Sequence, residues 1–493
     1  MTMKGFISGI LLFCILASLT ACSNGSEPQV TDETTANNGN TSVETTVRKA
    51  PELPVVDMGE YEFNILTQGW WNHSTLEITD VGVAEQNGEV LNDAAYKRKS
   101  DVEDKYNCTI NEMNVSSGSS EVVDQLNTSV MAGDDLYGLA LIRASHYNAL
   151  INSGTLTDLT KIPYLELEND YYLNQSYDTL SIDGSHYGIV SNLSTNQYLL
   201  IFCSYFNKVM LDEYKLGDMY DLVRDGKWTI DSMYEMSKLV AADLNNDGEF
   251  DSDDRYGTTY IIDVPEGLIN SCGVRLAKDV GDGIEKTYRS ETSLNRLQHI
   301  FDILCDKSVT FNIHSRVPSS DVQRLEISMF TDAQSLFSLA GGYYALQFRN
   351  MKDDFGIIPL PKYDEAQEDY LSPVFSNIFP VTVVPRSNLN SEWTGILLEE
   401  LSYRGYTELL PALYDTILTG KCARDDDSVE MLDMIFSNTT YDIGMIFDFG
   451  GVRTEIRNIF SELDGNFVST FASIDSKVDA NIDELIRSVN ETK

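Results

Sequence analysis

The sequence predicts an α/β protein built from two lobes, and three observations carry this prediction. The chain has 493 residues, of which 42% are hydrophobic and 10% aromatic, enough for a large core and more than one lobe. From Tyr61 onward, strand-like and helix-like segments alternate with short loops, as in a parallel sheet flanked by helices. The alternation begins again near Tyr198, so we expect a second lobe to follow the first.

The first lobe has strand and helix signals in turn. Residues 61–67 alternate apolar and polar side chains, which is typical of a strand. In residues 89–106, helical spacing places Leu91, Ala95, Val102 and Tyr106 on one face. The further predicted elements of this lobe are strands at 108–115 and 135–142 and helices at 122–132 and 146–151.

The second lobe begins with a predicted strand at 198–205, followed by helices at 208–216 and 229–242. Thr229 caps the later helix, and Asp231 favours its amino end. Two α/β lobes in one chain usually leave a cleft between them, and such clefts bind ligands.

The amino-terminal 22 residues indicate where the protein resides. Lys4 supplies a positive charge, residues 5–19 are apolar, and Leu19-Thr20-Ala21-Cys22 follows. This arrangement resembles the lipobox of bacterial lipoproteins, in which the cysteine thiol carries a diacylglycerol and becomes the mature amino terminus. An ordinary secretory signal with an incidental cysteine is the alternative. Residues 23–58 are rich in Ser, Thr, Asn and Glu, which predicts a flexible tether.

The net charge of the chain argues against nucleic acids and anionic lipid surfaces as partners. The formal net charge is -42, and a surface this acidic repels nucleic-acid backbones and anionic lipids. We therefore expect no nucleic-acid binding and a membrane contact through the lipid anchor only. The five cysteines after Cys22 are irregularly spaced, which favours buried thiols, although one disulfide remains open.

Four stretches together resemble the extracellular solute-binding lipoproteins of bacterial ABC importers, in the carbohydrate-type branch. They are the lipobox at Cys22, GEVLNDAAY at 88–96, GKWTIDSM at 226–233 and FGIIPLPKY at 355–363, with a weaker fifth at 423–432. The likeness extends from about Glu62 to near Asp448. The chain has Tyr171-Tyr172 where members of this branch often carry a Trp pair, and this departure bears on any ligand transferred from the family.

The resemblance implies a two-lobe periplasmic-binding-protein-like fold (type II), each lobe a mixed, mostly parallel sheet flanked by helices, with a hinge between them. The chain would cross near 195–197, return near 330 so that 336–340 adds a strand to the first lobe, and cross again near 379–385. The expected parts are a signal peptide (1–21), the lipidated cysteine and tether (22–58), a first lobe (59–196 and 330–380) and a second lobe (197–329 and 381–493).

The function that this resemblance implies is capture of a solute, expected to be an oligosaccharide, and its delivery to an ABC permease. The protein would be a monomer, extracytoplasmic and lipid-anchored to the outer face of the cell membrane. No nucleophile, zinc or phosphate-loop motif is present, and the histidines stand singly, so we expect no enzyme activity. Two alternatives remain: a surface glycoside hydrolase or lyase, and a sugar-sensing receptor without transport. The hydrolase stays open because the sequence does not show which carboxylates lie close together in the folded protein.

Solute contacts are expected where predicted strands end, because open α/β sheets bind ligands at the carboxyl ends of their strands. Aromatic faces suit sugar C–H surfaces, and polar side chains suit sugar hydroxyls. The candidates after strands are Trp70, Trp71, Ser145, His146, Tyr343 and Tyr344, with Asn72 and Glu89 as nearby polar residues and Asn196 and Tyr198 at the expected crossover.

One segment has the spacing of a calcium loop. Residues 243–254 follow the pattern D-x-[DN]-x-[DN]-G, with Gly248 at the sharp turn. Position 12 holds an aspartate rather than a glutamate, which shortens its reach. A solvated acidic turn is the alternative, and a bound Ca²⁺ would be structural. The predicted ligands are Asp243, Asn245, Asp247, Glu249, Asp251 and Asp254.

Overall fold

The computed structural model describes residues 50–69, 81–115, 120–281, 283–418 and 426–492. From Ala50 onward the chain forms one compact unit. Cys22, the predicted tether before Ala50, and Trp70, Trp71 and Asn72 lie outside the described residues. None of the described helices has both the length and the apolar composition needed to cross a membrane.

The strands are short, and most belong to two sheets. They are β1 (Tyr61–Gln68), β2 (Cys108–Val115), β3 (Leu139–Arg143), β4 (Ser181–Ile182), β5 (Ser185–His186), β6 (Phe202–Asn207), β7 (Tyr256–Tyr260), β8 (Ala277–Asp279), β9 (Ile284–Lys286), β10 (Thr310–Asn312), β11 (Ser335–Gly341), β12 (Phe355–Pro359), β13 (Ser372–Pro373), β14 (Pro380–Val383) and β15 (Thr439–Thr440).

The helices cover the faces of the sheets and make up the carboxyl-terminal part. They are α1 (Val90–Tyr106), α2 (Glu121–Ala132), α3 (Tyr147–Asn152), α4 (Asn174–Leu180), α5 (Asn196–Leu199), α6 (Lys208–Tyr214), α7 (Met219–Arg224), α8 (Ile230–Val240), α9 (Val264–Ser271), α10 (Glu291–Leu304), α11 (Ile313–Arg316), α12 (Ser319–Thr331), α13 (Tyr344–Phe348), α14 (Ser391–Arg404), α15 (Leu410–Leu418), α16 (Asp426–Ser437), α17 (Ile443–Phe447), α18 (Val452–Glu462) and α19 (Phe467–Thr492).

The elements predicted at 61–67, 89–106, 108–115, 122–132 and 229–242 are confirmed within two residues. The start of α8 shows why local sequence sufficed there. The Thr229 hydroxyl accepts from the Ser232 backbone N–H, and the Ser232 hydroxyl accepts from the Thr229 backbone N–H. This reciprocal capping box satisfies two amide donors that the first turn of a helix leaves unpaired.

The first lobe is built on a sheet with strand order β14-β3-β1-β2. β1 runs parallel to both β2 and β3, and β14 is antiparallel to β3. All five residues of β3 are buried, as expected for an apolar strand covered by helices on both faces. The sheet is therefore mainly parallel, and β1, β2 and β3 present their carboxyl ends at one edge.

The second lobe is built on a sheet with strand order β10-β7-β11-β6-β12. The prediction that residues 336–340 add a strand to the first lobe is wrong, because β11 pairs with β6 and β7. β12 also belongs to this sheet, and β14 is the strand that joins the first sheet. Every residue of β11 is buried, so its apolar composition fits the interior of either sheet and does not select one.

The chain crosses between the lobes near Thr195, as predicted, but the strand predicted from Tyr198 begins only at Phe202. Tyr198 lies in α5, because its amide bonds back to the Thr195 carbonyl at 3.1 Å and closes a turn. The return occurs at 374–379, not near 330, and we call these residues the return crossover. Here the Phe375 amide donates to the Leu200 carbonyl at 2.9 Å.

A later crossing was predicted at 379–385, and this position is wrong as well. Residues 380–383 are β14, and α14 and α15 both contact α1 of the first lobe. The next described helix, α16, contacts β12 of the second lobe. Among the described residues, α15 therefore packs on the first lobe and α16 on the second. Cys108, Cys203, Cys272 and Cys305 are all free thiols, so none of these four forms a disulfide.

The tyrosine pair that departs from the family pattern is part of a buried polar network. Glu399 of α14 is 0% exposed and accepts hydrogen bonds from the Tyr171 hydroxyl and, at 2.6 Å, from the Tyr172 hydroxyl. The Asn169 side-chain amide donates to the same carboxylate at 3.1 Å. Burial raises the pKa of Glu399, and these hydrogen bonds oppose the rise. The two tyrosines therefore fix α14 to the first lobe.

We expect Glu399→Ala to destabilise the protein by about 3 kcal/mol, because two buried hydroxyls and an amide lose their acceptor. Urea unfolding measures the change in the free energy of unfolding. Glu392→Ala is the control, since Glu392 is an exposed acid on the same helix, and it should cost less than about 0.5 kcal/mol. Equal losses for the two variants would contradict a special role for the network.

Candidate functional site

In both sheets, the carboxyl ends of the parallel strands lie beside the crossover segments. In the first lobe, the Ala144 amide directly after β3 donates to the Phe379 carbonyl at 3.1 Å. In the second lobe, the Gly342 amide directly after β11 donates to the Ile201 carbonyl at 2.9 Å. We call these two ends the first and second carboxyl edges. Ligands of open α/β sheets bind at such edges.

The first carboxyl edge joins the ends of β1 and β3 through side chains. The Arg143 guanidinium Nη2 donates to the Gly69 carbonyl at 2.7 Å, and His146 Nδ1 lies 3.0 Å from Gln68 Oε1. Burial lowers the pKa of His146, and the Arg143 cation lowers it further. The imidazole is therefore neutral at pH 7, and a proton on Nδ1 leaves Nε2 as an acceptor.

Ser145 and His146 both lie at this edge. Ser145 is exposed, and its amide donates to the Asn377 carbonyl of the return crossover at 3.0 Å. His146 is half-buried. Sequence reasoning missed Gln68 and Arg143, which are 0% and 8% exposed. A polar residue at the end of an apolar strand is the signal that could have found them.

The second carboxyl edge holds an aromatic and carboxylate group. Tyr343 and Tyr344 follow β11, and their ring centroids lie 4.4 Å apart. Tyr344 hydrogen-bonds Glu326 of α12, and His314 Nε2 lies 3.4 Å from the Glu326 carboxylate. Burial raises the pKa of Glu326 and lowers that of His314. The predicted Tyr343 and Tyr344 are thus placed at this edge, where Tyr343 directly precedes α13 and Tyr344 is the first of its five residues.

An acid and arginine cluster at the same edge was not predicted. Asp263 follows β7, and Arg457 of α18 forms ion pairs with Asp263 and, from Nε at 3.1 Å, with Glu266. Glu266 is 4% exposed, and burial raises its pKa to about 7, against the opposing charge of Arg453. These residues come from segments nearly 200 positions apart, so no local pattern in the sequence joins them.

Three other predicted contacts lie in different surroundings. Asn196 and Tyr198 are buried at the first crossover, where Asn196 bonds the Ser194 hydroxyl and Tyr198 donates to Asn192 at 3.0 Å. Glu89 is exposed at the amino end of α1, and its amide donates to the Asn87 side chain. Their roles in solute binding, like those of Trp70, Trp71 and Asn72, stay predictions.

The predicted calcium loop turns as the pattern requires, with Gly248 at a φ of 86°. Its carboxylates bond the loop's own amides: Asp243 accepts from Gly248, and the fully buried Asp254 accepts from Leu244 and Asp251. Across the described parts of the chain, no group of three or more His, Cys, Asp or Glu side chains is arranged to hold a metal ion. Calcium at this loop stays a prediction.

No family model matches the chain, and no curated protein sequence does. Solved structures do match. The sugar-binding protein MalE from Xanthomonas citri superposes with a TM-score of 0.55 at 12% identity, covering 87% of this chain and 98% of that one. The galacto-N-biose-/lacto-N-biose I-binding protein of the ABC transporter from Bifidobacterium longum gives 0.53 at 14%, covering 88% and 98%.

An ABC substrate-binding protein from Listeria monocytogenes in complex with cycloalternan gives a TM-score of 0.52 at 13% identity, covering 87% of this chain and 99% of that one. The chain has the two-lobe fold of ABC sugar-binding proteins. The fold class and the resemblance on which it was predicted are thereby confirmed at the level of fold.

Proposed function

We propose that this protein is the lipid-anchored substrate-binding component of an ABC importer and binds a carbohydrate, in particular an oligosaccharide, without turning it over. The observation that carries the proposal is that the two carboxyl edges are bonded to two crossover segments that are bonded to each other, in a fold shared with solved sugar-binding proteins. A ligand held by both edges would favour the closed arrangement of the lobes.

The chemistry of the edges supports a polyhydroxylated solute. The first edge offers the neutral imidazole of His146 and the hydroxyl of Ser145, and the second offers tyrosines and a carboxylate. Such groups donate to and accept from hydroxyls, and aromatic faces cover the C–H surfaces of sugar rings. Trp70 and Trp71, which follow β1 by sequence, belong to the proposed contact set with Asn72.

A glycan panel tests the proposal. Maltose, maltotriose, lacto-N-biose and cycloalternan are each added to the purified protein, and its melting temperature is followed. We expect at least one of them, or another oligosaccharide, to raise the melting temperature, because a ligand of the folded state stabilises it by mass action. The sugar should be recovered intact by mass spectrometry. Cleaved product would instead identify a hydrolase or lyase.

Binding and anchoring should be separable. The proposal assigns Cys22 to membrane attachment and assigns the edges to solute binding, with a predicted tether of some tens of residues between them. In a bacterial host, Cys22→Ala should move the protein from the membrane to the soluble fraction and lower uptake. Its solute affinity, measured by calorimetry, should not change. A weaker affinity in the soluble variant would argue against this division of labour.

We also propose that residues 243–254 bind a structural Ca²⁺. The support is the loop spacing and the positive φ of Gly248. A chelator should then lower the melting temperature of the wild type and leave Asp247→Asn unaffected, because that variant loses a charged ligand. Asp279→Asn, an exposed acid on β8, is the control and should respond as the wild type does. An unchanged wild-type melting curve, with no calcium by elemental analysis, refutes this proposal.

A further inference from the structure

Backbone pairing leaves a gap at the end of β1. The ladder between β1 and β3 ends at Thr67 and Leu141. On its other side, β1 stays paired with β2 through Gln68, and the Gly69 amide donates to the Val115 carbonyl at 3.0 Å. The last residues of β1 are therefore held to β2 by backbone bonds, and toward β3 they are held by side chains.

Two side chains bridge this gap. Arg143 Nη2 lies 2.7 Å from the Gly69 carbonyl, and His146 Nδ1 lies 3.0 Å from Gln68 Oε1. Both come from the short segment 143–146, whose backbone is already bonded elsewhere. Arg143 continues the ladder to β14, and the next two amides donate to the Phe379 and Asn377 carbonyls. One four-residue segment thus holds β1 with its side chains and the return crossover with its backbone.

We propose that Arg143 is a positioning residue, whose guanidinium fixes the carboxyl end of β1 to the segment 143–146 and thereby to the return crossover, so that the first carboxyl edge and the return crossover move together. The assignment of this edge to solute binding rests on the proposed function; the fixing itself does not. Arg143 is 8% exposed, and a guanidinium is costly to remove from water. An apolar residue would fill the same space without that cost, but it could not hold the Gly69 carbonyl.

Hydrogen exchange of the full-length protein without solute tests the fixing. In Arg143→Met, we expect about tenfold faster exchange at the amides of Gly69, Ala144 and Ser145. Local opening of these residues in the wild type must break the hydrogen bond from Arg143 to the Gly69 carbonyl, and in the variant this bond is absent. Arg143→Lys should restore part of the protection, since an ammonium can donate one bond. Arg255→Met is the matched control: Arg255 Nε donates to the Val240 carbonyl at 3.0 Å in the second lobe, away from both carboxyl edges.

A second variant, His146→Phe, allows the proposal to be tested even if Arg143→Met does not fold. His146→Phe keeps a ring of similar size and removes only the bond to Gln68, so it should loosen Gly69 in the same direction and by less. Unchanged exchange at Gly69 in both Arg143→Met and His146→Phe would overturn the proposal. So would faster exchange spread equally over the whole first lobe, because that pattern indicates a purely structural residue.

The affinity for maltotriose and lacto-N-biose completes the test. If the wild type binds either sugar, the Kd of Arg143→Met for that sugar should be about tenfold higher than that of the wild type. The Kd of Arg255→Met for the same sugar should be unchanged. An unchanged Kd in Arg143→Met, despite faster exchange, would overturn the positioning of a solute site. If the wild type binds neither sugar nor any other glycan, the proposed function fails, and the exchange measurement still decides whether Arg143 fixes β1 to the crossover.

Discussion

The structure depends on backbone hydrogen bonds that tie the end of each sheet to a crossover segment and the two crossover segments to each other. The Leu200 carbonyl accepts from Phe375, and the Ile201 carbonyl accepts from Gly342, so the first crossover is directly bonded to the return crossover and to the end of β11. The Phe379 carbonyl then accepts from Ala144 at the end of β3. A buried peptide group without a partner is costly, so these bonds fix where each sheet can end.

Elements that depend on their own residues were predictable from sequence, and elements that depend on long-range pairing were not. α8 is set by its own residues, because Thr229 and Ser232 cap it locally. β11 is set by its neighbours, because an apolar strand satisfies either sheet equally and only the pairing with β6 and β7 decides. The predicted edge residues Ser145 and Tyr343 follow strands and needed only the rule about carboxyl ends. Arg457 could not be predicted, because its partners Asp263 and Glu266 lie far away in the sequence.

Arginine side chains lie at both edges although the chain is strongly acidic. The chain carries a formal charge of -42, yet Arg143 lies at the first edge and Arg453 and Arg457 lie at the second. Arg457 is balanced by Asp263 and Glu266, and Arg453 lies beside Asp448. Because the cations of the second edge are matched by acids, this edge suits a neutral solute better than a charged one.

The tyrosine pair at positions 171 and 172 has a structural role in this chain. A Trp indole has one N–H donor and no acceptor, whereas Tyr171 and Tyr172 each direct a hydroxyl to the buried Glu399 carboxylate. Both rings are buried, so in this chain the pair stabilises α14. If aromatic stacking on sugar rings occurs here, it must come from other aromatic residues, of which Tyr343 is placed at an edge and only partly buried. The departure from the family pattern therefore shifts the expected contacts away from positions 171 and 172 and toward the ends of the strands.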